Sequence, residues 1–396
     1  MITRIEYLEQ IKKFKDKELI KVVTGIRRCG KSTLFKLFQK YLIENGIEKT
    51  QIININFEDI AYEHLTDYKI LYKEISERLN KDKKTYIFLD EIQHVAKFEK
   101  TVDALYIKEN TDIYITGSNA FFLSGELATL LSGRYVEIKM LPLSFKEYSS
   151  ALPDNISSER KFSQYINEGG FPYLLRLEDE QSKKDYLEGI YNTIVLKDIA
   201  ARKKLTDVSI LESIIKYMFD NVGNLTSPKK ISDTLTSYGR KVSQPTVESY
   251  VSSLLDSFIL KKSERYDVSG KQLLKTQCKY YVTDIGLQRF ILSGNKRNIG
   301  HNIENIVYLE LIRRGYKVYT GKIDNLEIDF IAERNGFTYY YQVSMSVMDN
   351  AVLERELKPL NKIKDNNPKF LLTMDLVPET SHNGIRQINI IDWLLS

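Results

Sequence analysis

One segment constrains the fold of this chain more than any other: residues 25–32 match the phosphate-loop pattern G-x-x-x-x-G-K-[ST] at every specified position. A short apolar, β-branched run precedes it at 19–24, and a run with helical spacing of apolar residues follows it at 33–42. Between a strand and a helix, such a loop turns successive backbone N–H groups toward a phosphate. The segment therefore predicts a nucleotide-binding site. The alternative is a tight strand-to-helix turn with an incidental lysine.

Each residue type in this loop has a chemical role in the prediction. Lys31 would place a positive charge beside the β- and γ-phosphates of ATP, and the Ser32 hydroxyl would bind Mg²⁺. The rest of the predicted ATP-binding set supplies loop geometry and backbone donors: Gly25, Ile26, Arg27, Arg28, Cys29, Gly30 and Thr33. Cys29 has two interpretations, a redox switch or the occupant of a variable loop position, and the second is simpler.

A second motif lies at 85–91, where an apolar run ends in the two carboxylates Asp90 and Glu91. Such a run predicts a buried strand whose carboxyl end brings both acids to the edge of a parallel sheet, where ligands bind. This is the Walker B pattern. Asp90 is then placed to hold Mg²⁺, directly or through water, and Glu91 to orient and polarise the water that attacks ATP.

A further buried strand is predicted at 112–119, and it ends in the small polar residues Ser118 and Asn119. These side chains would hydrogen-bond the γ-phosphate or the attacking water, or simply cap the helix predicted at 121–131. Arg134 follows that helix. In a homo-oligomer it would reach a phosphate in a neighbouring subunit and stabilise transition-state charge. The alternative is a surface arginine that the helix dipole favours.

The order of these motifs, from phosphate loop to arginine, resembles that of the AAA+ ATPases. More specifically, the chain resembles a prokaryotic AAA+ family of poorly defined function whose members add a C-terminal domain of restriction-endonuclease-like shape. The segments that carry the likeness lie at 25–32, 89–91, 116–118, 133–145, 169–172, 279–287 and 327–330. The resemblance implies an α/β fold, with a P-loop AAA+ parallel sheet and a helical lid. It also implies that Asn56, at the end of the second strand, restrains the catalytic glutamate.

Four domains are predicted along the 396 residues. The AAA+ core would occupy 1–144 and the helical lid 145–204. Within the lid, the Gly-Gly pair of segment 169–172 suits a sharp turn and its proline suits a helix start. A winged-helix domain would occupy 205–295, and a small PD-(D/E)xK-like domain of the restriction-endonuclease type would occupy 296–396.

The winged-helix prediction rests on three helices followed by a strand pair with a turn at 269–271. On DNA, the third helix would enter the major groove and basic side chains would meet phosphates. The predicted contacts are Gln244, Thr246, Glu248 and Ser249 on that helix, and Lys229, Lys230, Arg240, Lys241, Lys261, Lys262 and Lys271 around it. Residues 205–290 hold 12 basic and 9 acidic side chains. That modest excess fits a protein-docking module equally well.

The last domain resembles a nuclease core that lacks part of its chemistry. Metal-dependent cleavage needs carboxylates on adjacent strands and a lysine that activates or stabilises hydroxide. Asp329 fits the first acid and Glu304 the acid on a helix, whereas Gln342 and Ser344 stand where an acid-x-lysine is expected. We therefore expect a degenerate fold kept for binding or assembly, without nuclease activity. Whether Glu304, Asp329 and Gln342 hold a metal stays open.

Composition narrows the class of protein. Hydrophobic residues make up 42% and charged residues 28%, as in soluble globular proteins, and the net charge of +5 permits a nucleic-acid partner without requiring one. Cys29 and Cys278 form neither a disulfide framework nor a metal set. With no signal peptide or membrane-length apolar run, a cytoplasmic protein without a membrane partner is expected. The sequence predicts a Mg²⁺-dependent ATPase that couples nucleotide state to DNA binding or remodelling. The alternative is a signalling or defence switch that recognises a protein partner.

Overall fold

Five parallel strands form the sheet on which the N-terminal part of the chain is built. They are β1 (Ile20–Thr24), β2 (Ile52–Asn56), β3 (Thr85–Asp90), β4 (Thr111–Gly117) and β5 (Tyr135–Lys139), in the spatial order β2-β3-β4-β1-β5. Strands β1 and β3 are buried at every position, because both lie between neighbours in the sheet. The predicted strands before the phosphate loop and before the Walker B acids are confirmed.

Among the described residues, four α-helices accompany this sheet: α1 (Ile5–Lys13), α2 (Lys31–Glu44), α3 (Tyr68–Arg78) and α4 (Phe98–Tyr106). Helix α2 contains the run predicted at 33–42 and starts two residues before it, within the phosphate loop. Helices α3 and α4 pack apolar side chains such as Leu71 and Val102 into one core with the apolar residues of the sheet. This core fixes the strand ends from which the candidate site is built.

The computed structural model describes residues 2–119, 131, 133–200, 208–293 and 299–396. The chain divides into two units. Unit 1 comprises Met1–Pro142 with Asp256–Phe258, and unit 2 comprises Leu143–Leu255 with Ile259–Ser396. The first division lies close to the predicted boundary at 144. Within the described ranges, no helix has both the length and the apolar character needed to cross a bilayer.

Unit 2 begins with α5 (Phe145–Ser150), α6 (Ser158–Glu168), α7 (Glu180–Asn192) and a π-helical segment, Thr193–Ala200. The predicted break between α6 and α7 is confirmed. Gly169 has a φ of 83°, and a Cβ atom there would lie 2.4 Å from Asp284 Oδ1. Pro172 begins a short 3₁₀ helix, Pro172–Arg176. The turn requires glycine because the Asp284 carboxylate approaches its backbone so closely.

Three helices and a β-hairpin follow, in the predicted order. They are α8 (Val208–Asp220), α9 (Pro228–Ser237), α10 (Gln244–Asp256), β6 (Leu260–Asp267) and β7 (Gln272–Val282). Ser227 caps α9, since its hydroxyl accepts a hydrogen bond from the backbone N of Lys230 at 3.3 Å. Helix α10 buries Val247, Val251 and Leu254. The elements of the predicted winged helix are present, and their assignment to that domain type stays a prediction.

The remaining described elements complete an eight-stranded sheet. The helices are α11 (Ile285–Ile291), α12 (Ile299–Arg313), α13 (Asn350–Lys362) and α14 (Ile390–Leu395). The strands are β8 (Lys317–Ile323), β9 (Leu326–Arg334), β10 (Phe337–Ser344), β11 (Lys369–Thr373), β12 (Thr380–His382) and β13 (Ile385–Asn389). The spatial order is β12-β13-β11-β10-β9-β8-β6-β7. Because β6 pairs with β8, one sheet continues across the predicted boundary at 295.

Candidate functional site

The phosphate loop connects the carboxyl end of β1 to the start of α2. At Gly25 a Cβ atom would lie 2.2 Å from the carbonyl oxygen of Met140, so this position admits only glycine. Gly30 has a φ of 107° and is the N-cap residue of α2, with no side-chain cap. The first N–H groups of the helix therefore face the space in front of it, which is the usual geometry for binding an anion.

Lys31 is buried beneath this loop and forms an ion pair with Glu91. Its Nζ lies 3.1 Å from Glu91 Oε1 and donates to the carbonyl oxygen of Gly25 at 3.1 Å. Burial by itself would lower the pKa of Lys31, but the charge and hydrogen bond of Glu91, together with the nearby Cys29 and Asp90, hold this pKa above its usual value. Burial would likewise raise the pKa of Glu91, whereas Lys31 and Gln93 hold it below its usual value. Both side chains are therefore charged.

Asp90 and Ser32 form the part of the site that suits a divalent cation. Ser32 and Thr116 both donate hydrogen bonds to the Asp90 carboxylate, the latter from Oγ1 to Oδ1 at 2.5 Å. Burial nevertheless raises the pKa of Asp90. A buried carboxylate next to a hydroxyl is an oxygen donor set of the kind that Mg²⁺ prefers, and a cation there would offset the cost of burying the charge. The residues present thus fit the predicted Mg²⁺ ligands.

Glu91 is held in an uncommon backbone conformation. It has a φ of 54°, in the left-handed region, and its backbone N donates to Thr116 Oγ1 at 2.8 Å. Its Oε2 accepts a hydrogen bond from Gln93 Nε2 at 2.5 Å, and the same nitrogen lies 3.4 Å from Ser118 Oγ. No sequence motif predicted a role for Gln93. The one available signal was an amide two residues after the Walker B glutamate.

Ser118 and Asn119 are buried at the end of β4, where the sequence predicts them. Of the helix predicted at 121–131, residues 121–130 lie outside the described residues, so the capping alternative stays open. Asn56 lies beside Asp90 in the register of β2 and β3, and its Oδ1 accepts a hydrogen bond from the backbone N of Glu58 at 3.0 Å. The restraint of Glu91 by Asn56 stays a prediction.

Comparison with protein families and known proteins shows which family and fold the chain shares. Residues 17–149 match an AAA domain family, and residues 159–298 match a domain family of unknown function, DUF8612. An uncharacterized protein of Haemophilus influenzae is 44% identical to this chain over 100% of the chain and 99% of that protein. The chain belongs to the same family. An uncharacterized protein of Methanocaldococcus jannaschii is 31% identical over 79% of the chain and 71% of its own length.

A Walker-type ATPase of Pyrococcus abyssi has a similar fold. The two chains superimpose with a TM-score of 0.53 at 14% sequence identity, over 74% of this chain and 96% of the archaeal one. At this level of identity the likeness concerns the fold alone. The chain is thus an AAA-domain protein with the fold of the P-loop ATPases, as the resemblance implied.

Arg134 of the AAA domain is partly exposed and pairs with an acid of its own chain. Its Nη1 lies 2.5 Å from Asp103 Oδ1 on α4, and its guanidinium stacks 5.5 Å from the centre of the Tyr106 ring. This pairing supports the alternative of a surface arginine within one chain. Because the Asp103 side chain is also partly exposed, the pair can open, and action on a neighbouring subunit stays a prediction.

The remaining loop residues differ in exposure. Arg27 Nη1 lies 3.0 Å from Glu58 Oε1, and the Arg28 side chain is exposed at a φ of 65°. Cys29 is buried, with Sγ 3.7 Å from the carbonyl oxygen of Met140, and burial raises the pKa of its thiol. A buried thiol with a raised pKa reacts slowly with oxidants. The geometry therefore favours the interpretation of Cys29 as a packing residue over a redox switch.

Arg4 is a second residue whose role no sequence motif predicted. At the start of α1 the apolar Ile5 is 64% exposed, whereas Arg4 is only 2% exposed. Arg4 Nη1 donates to the carbonyl oxygen of Cys29 at 2.8 Å, and Nη2 donates to that of Leu141 at 2.6 Å. The Arg4 guanidinium can be buried because these two carbonyl oxygens accept its hydrogen bonds and stabilise its charge. Periodicity gives no signal for such a contact.

The C-terminal unit of this AAA-domain protein contains a buried lysine among acids. Lys279 Nζ, on β7, lies 2.9 Å from Glu304 Oε1, 2.6 Å from Glu327 Oε1 and 3.9 Å from Asp329 Oδ1. Burial alone would lower the pKa of Lys279, but these carboxylates raise it far above its usual value. Two of the acids, Glu304 and Asp329, are the predicted nuclease-type acids. Sequence reasoning missed the lysine because it comes from a distant strand.

Gln342 completes this cluster on β10. Its Nε2 donates to Glu356 Oε2 at 2.9 Å, and Asp329 Oδ2 accepts a hydrogen bond from the backbone N of Val343 at 2.8 Å. Burial and the Glu304 charge raise the pKa of Asp329 well above its usual value. Among the described residues, no set of three His, Cys, Asp or Glu side chains is arranged to hold a metal ion. The cation at the centre of this cluster is the Lys279 ammonium group.

Proposed function

We propose that the AAA domain binds ATP with Mg²⁺ and hydrolyses it. The observation that carries this proposal is the buried Lys31–Glu91 pair beside Ser32 and Asp90, at the carboxyl ends of β1 and β3. Ser32 and Asp90 would hold Mg²⁺, which neutralises charge on the β- and γ-phosphates. The ion pair keeps Lys31 and Glu91 charged and in place before ATP arrives.

In this proposal, ATP changes the partner of Lys31. The phosphates carry more charge than one carboxylate, so Lys31 turns from Glu91 Oε1 to phosphate oxygens. The released carboxylate then accepts a proton from the attacking water. Ser118 and Asn119, buried at the end of the neighbouring strand, are the side chains proposed to contact the γ-phosphate or that water. The same change of partner therefore breaks the Lys31–Glu91 ion pair and frees Glu91 to act as a general base.

Substitution Glu91→Gln tests this proposal directly. A glutamine keeps the size and hydrogen-bonding capacity of the side chain but is not a base, so we expect ATP binding to persist and hydrolysis to fall at least about 100-fold. Steady-state hydrolysis and equilibrium binding of a fluorescent ATP analogue measure the two quantities. Hydrolysis by Glu91→Gln at the wild-type rate would contradict the role of Glu91.

We further propose that nucleotide state is coupled to DNA binding by unit 2. The support comes from exposed polar and basic side chains around α9, α10 and the β6–β7 turn: Lys229, Lys230, Arg240, Lys241, Gln244, Glu248, Lys262 and Lys271. Thr246, Ser249 and Lys261 are partly exposed. Four of these residues, Gln244, Thr246, Glu248 and Ser249, lie on the outer side of α10, whose inner side buries Val247 and Val251, as a groove-reading helix requires.

The alternative function is a nucleotide-dependent switch that recognises a protein partner. It is favoured by the modest excess of 12 basic over 9 acidic residues at 205–290 and by Gln244, whose Nε2 donates to Glu248 Oε1 on the same exposed face.

ATP hydrolysis measured with single-stranded, duplex and branched DNA at two salt concentrations distinguishes DNA coupling from the protein-recognising switch. Stimulation by one form, lost with added salt, supports DNA coupling. A flat response supports the switch.

We also propose that unit 2 binds without cutting. The Lys279 ammonium already supplies the positive charge that Glu304 and Asp329 would otherwise take from a metal ion. Incubation of supercoiled and linear DNA with the wild-type protein in Mg²⁺ or Mn²⁺ tests this. Nicking or cleavage that disappears in Asp329→Asn would contradict the proposal.

A further inference from the structure

Gln93 links two residues of the candidate active site through its side-chain amide. Its Nε2 donates to Glu91 Oε2 at 2.5 Å and lies 3.4 Å from Ser118 Oγ. A carboxylate oxygen only accepts hydrogen bonds, so the amide atom nearest Glu91 must be the nitrogen. The orientation of the Gln93 amide therefore follows from the chemistry of its partner.

The amide oxygen of Gln93 is the atom that needs explanation. Oε1 is buried, and among the residues that the structure describes it has no hydrogen-bond partner. Buried amide oxygens are nearly always paired, so this position requires a donor. Because the nitrogen of the same amide is fixed beside Glu91, the donor must sit next to the group expected to act as the general base. A water molecule in the active site is a donor of that kind.

We propose that Gln93 positions the water that attacks ATP, acting together with Glu91. The proposal rests on the ATPase function proposed above. The water gives one hydrogen bond to the Glu91 carboxylate and the other to Gln93 Oε1, which directs its lone pair toward the γ-phosphorus. The new oxygen–phosphorus bond forms as the bond to the β–γ bridging oxygen breaks. ADP leaves with that electron pair, and the water's proton passes to Glu91. Glutamine has this water-orienting role in other nucleotide hydrolases.

This assignment differs from the role that the resemblance implied for Asn56. The described contact of the Asn56 side chain is to the backbone N of Glu58, whereas Gln93 contacts the Glu91 carboxylate itself. Gln93 also reaches Ser118, a residue that the sequence already placed near the γ-phosphate. One side chain therefore connects the carboxyl ends of β3 and β4 at the predicted point of attack.

Substitution Gln93→Leu removes both polar atoms of the amide while keeping a similar size. We expect kcat for ATP hydrolysis to fall about 100-fold, with KM for ATP within about twofold of the wild-type value. The reason is that ground-state binding uses Lys31 and the phosphate loop, whereas the oriented water matters only in the transition state. A raised KM with unchanged kcat would overturn the water-positioning role.

Substitution Gln93→Glu adds a readout that a purely structural role would not change. A protonated glutamate offers one donor and one acceptor, as glutamine does, but an ionised one places a second negative charge beside Glu91. Burial and the neighbouring Glu91 charge should raise the pKa of the introduced carboxyl above its usual value. The activity of Gln93→Glu relative to wild type should therefore fall about tenfold or more from pH 6 to pH 8, as this carboxyl ionises. The other charged groups around Glu91 that shape this profile are Lys31, Asp90 and Arg27.

Gln39 provides a matched control in the same unit. It lies on α2 and its Nε2 donates to Asn54 Oδ1 at 2.8 Å, so Gln39→Leu and Gln39→Glu should leave kcat and its pH profile unchanged. If Gln93→Leu stays within threefold of wild type, or the Gln93→Glu ratio is flat with pH, the role of Gln93 is wrong and the ATPase function stands. If wild type hydrolyses ATP no faster than Lys31→Ala, both proposals are wrong.

Discussion

Two buried lysines, one in each unit, keep an ammonium group inside the protein in different ways. Lys31 lies 3.1 Å from Glu91, its one carboxylate partner among the described ion pairs, and its other contact is a loop carbonyl. Lys279 lies within 4 Å of three acids, Glu304, Glu327 and Asp329. In both cases burial would lower the pKa of the lysine and the carboxylates outweigh it. The two sites differ in the number of carboxylates around the lysine and in the structural elements that supply them.

The difference decides whether a partner can be exchanged. The single carboxylate beside Lys31 can be replaced by the phosphates of a nucleotide, which enter from the open side of the loop. The partners of Lys279 come from α12 and β9, two regular elements held by their own hydrogen bonds. No single ligand replaces three such acids. The ion pair of Lys31 in unit 1 can therefore respond to a ligand. The ion cluster of Lys279 in unit 2 is permanent.

Substitution Lys279→Met should cause the largest loss of stability and so sharpen this comparison. Methionine keeps much of the apolar length of the side chain but leaves the acids without a counter-charge. Breaking a buried ion pair typically costs about 3–5 kcal/mol, and we expect a loss of that size in the free energy of unfolding of unit 2. Urea denaturation monitored by fluorescence measures this loss.

The matched control for Lys279 is Lys262, on the adjacent strand β6. Its surface pair with Glu264 should contribute less than about 1 kcal/mol, so Lys262→Met should unfold close to the wild-type urea concentration. Equal losses in the two variants would show that the three acids do not depend on Lys279.

Substitution Lys31→Ala should affect activity more than stability. Without the ammonium group the β- and γ-phosphates lose their point charge, so we expect hydrolysis to fall at least about 100-fold and ATP binding to weaken. The loss of folding free energy should be smaller than for Lys279→Met, because Gln93 still donates to Glu91. ATP turnover and nucleotide-free thermal unfolding measure the two effects. Full ATP turnover by Lys31→Ala would contradict the assignment of the ATP site. A stability loss equal to that of Lys279→Met would contradict the proposed difference between the two lysines.

Asp284 is a buried acid of a third kind, held by backbone N–H groups of Gly170 and Leu287. Burial raises the pKa of Asp284 to about 6, above its usual value. The folded state therefore binds this proton more tightly than the unfolded state, and stability declines as pH rises from about 4 to 6. Relative to Asp284→Asn, the wild type should lose about 1–3 kcal/mol between pH 4 and pH 7.

Urea denaturation at several pH values measures the Asp284 effect. The variant Asp233→Asn, changed at an exposed position of α9, controls for the removal of one carboxylate from the protein. A pH-independent difference between wild type and Asp284→Asn would contradict the raised pKa.

Arg134 is a surface residue that could also exchange its carboxylate partner for a phosphate. The expected change in ATP hydrolysis when variants are mixed is the smallest effect predicted here. We propose that the chain forms a homo-oligomer in which Arg134 leaves Asp103 and reaches ATP in a neighbouring subunit. Mixing inactive Arg134→Ala with inactive Glu91→Gln should then restore hydrolysis several-fold above either variant alone, since some interfaces combine an intact arginine with an intact glutamate. No recovery across mixing ratios would leave Arg134 as a surface residue of its own chain.

The parts of this molecule that could be predicted from sequence are those that neighbouring residues determine. The apolar run ending in Asp90 and the glycines around Lys31 are local patterns, so the strand end and the loop follow from them. The contacts from Gln93 to Ser118 and from Lys279 to Glu304 join segments far apart in sequence. They depend on strand order and register, which no local pattern encodes.

The buried guanidinium of Arg4 has a practical consequence for dividing this protein into pieces. It holds the carbonyl oxygens of Cys29, in the phosphate loop, and of Leu141, at the far end of the AAA unit. The match to the AAA family begins only at residue 17. A fragment cut at that family boundary would lack the residue that braces its own phosphate loop. Weak nucleotide binding by such a fragment would therefore reflect the cut rather than the intact protein.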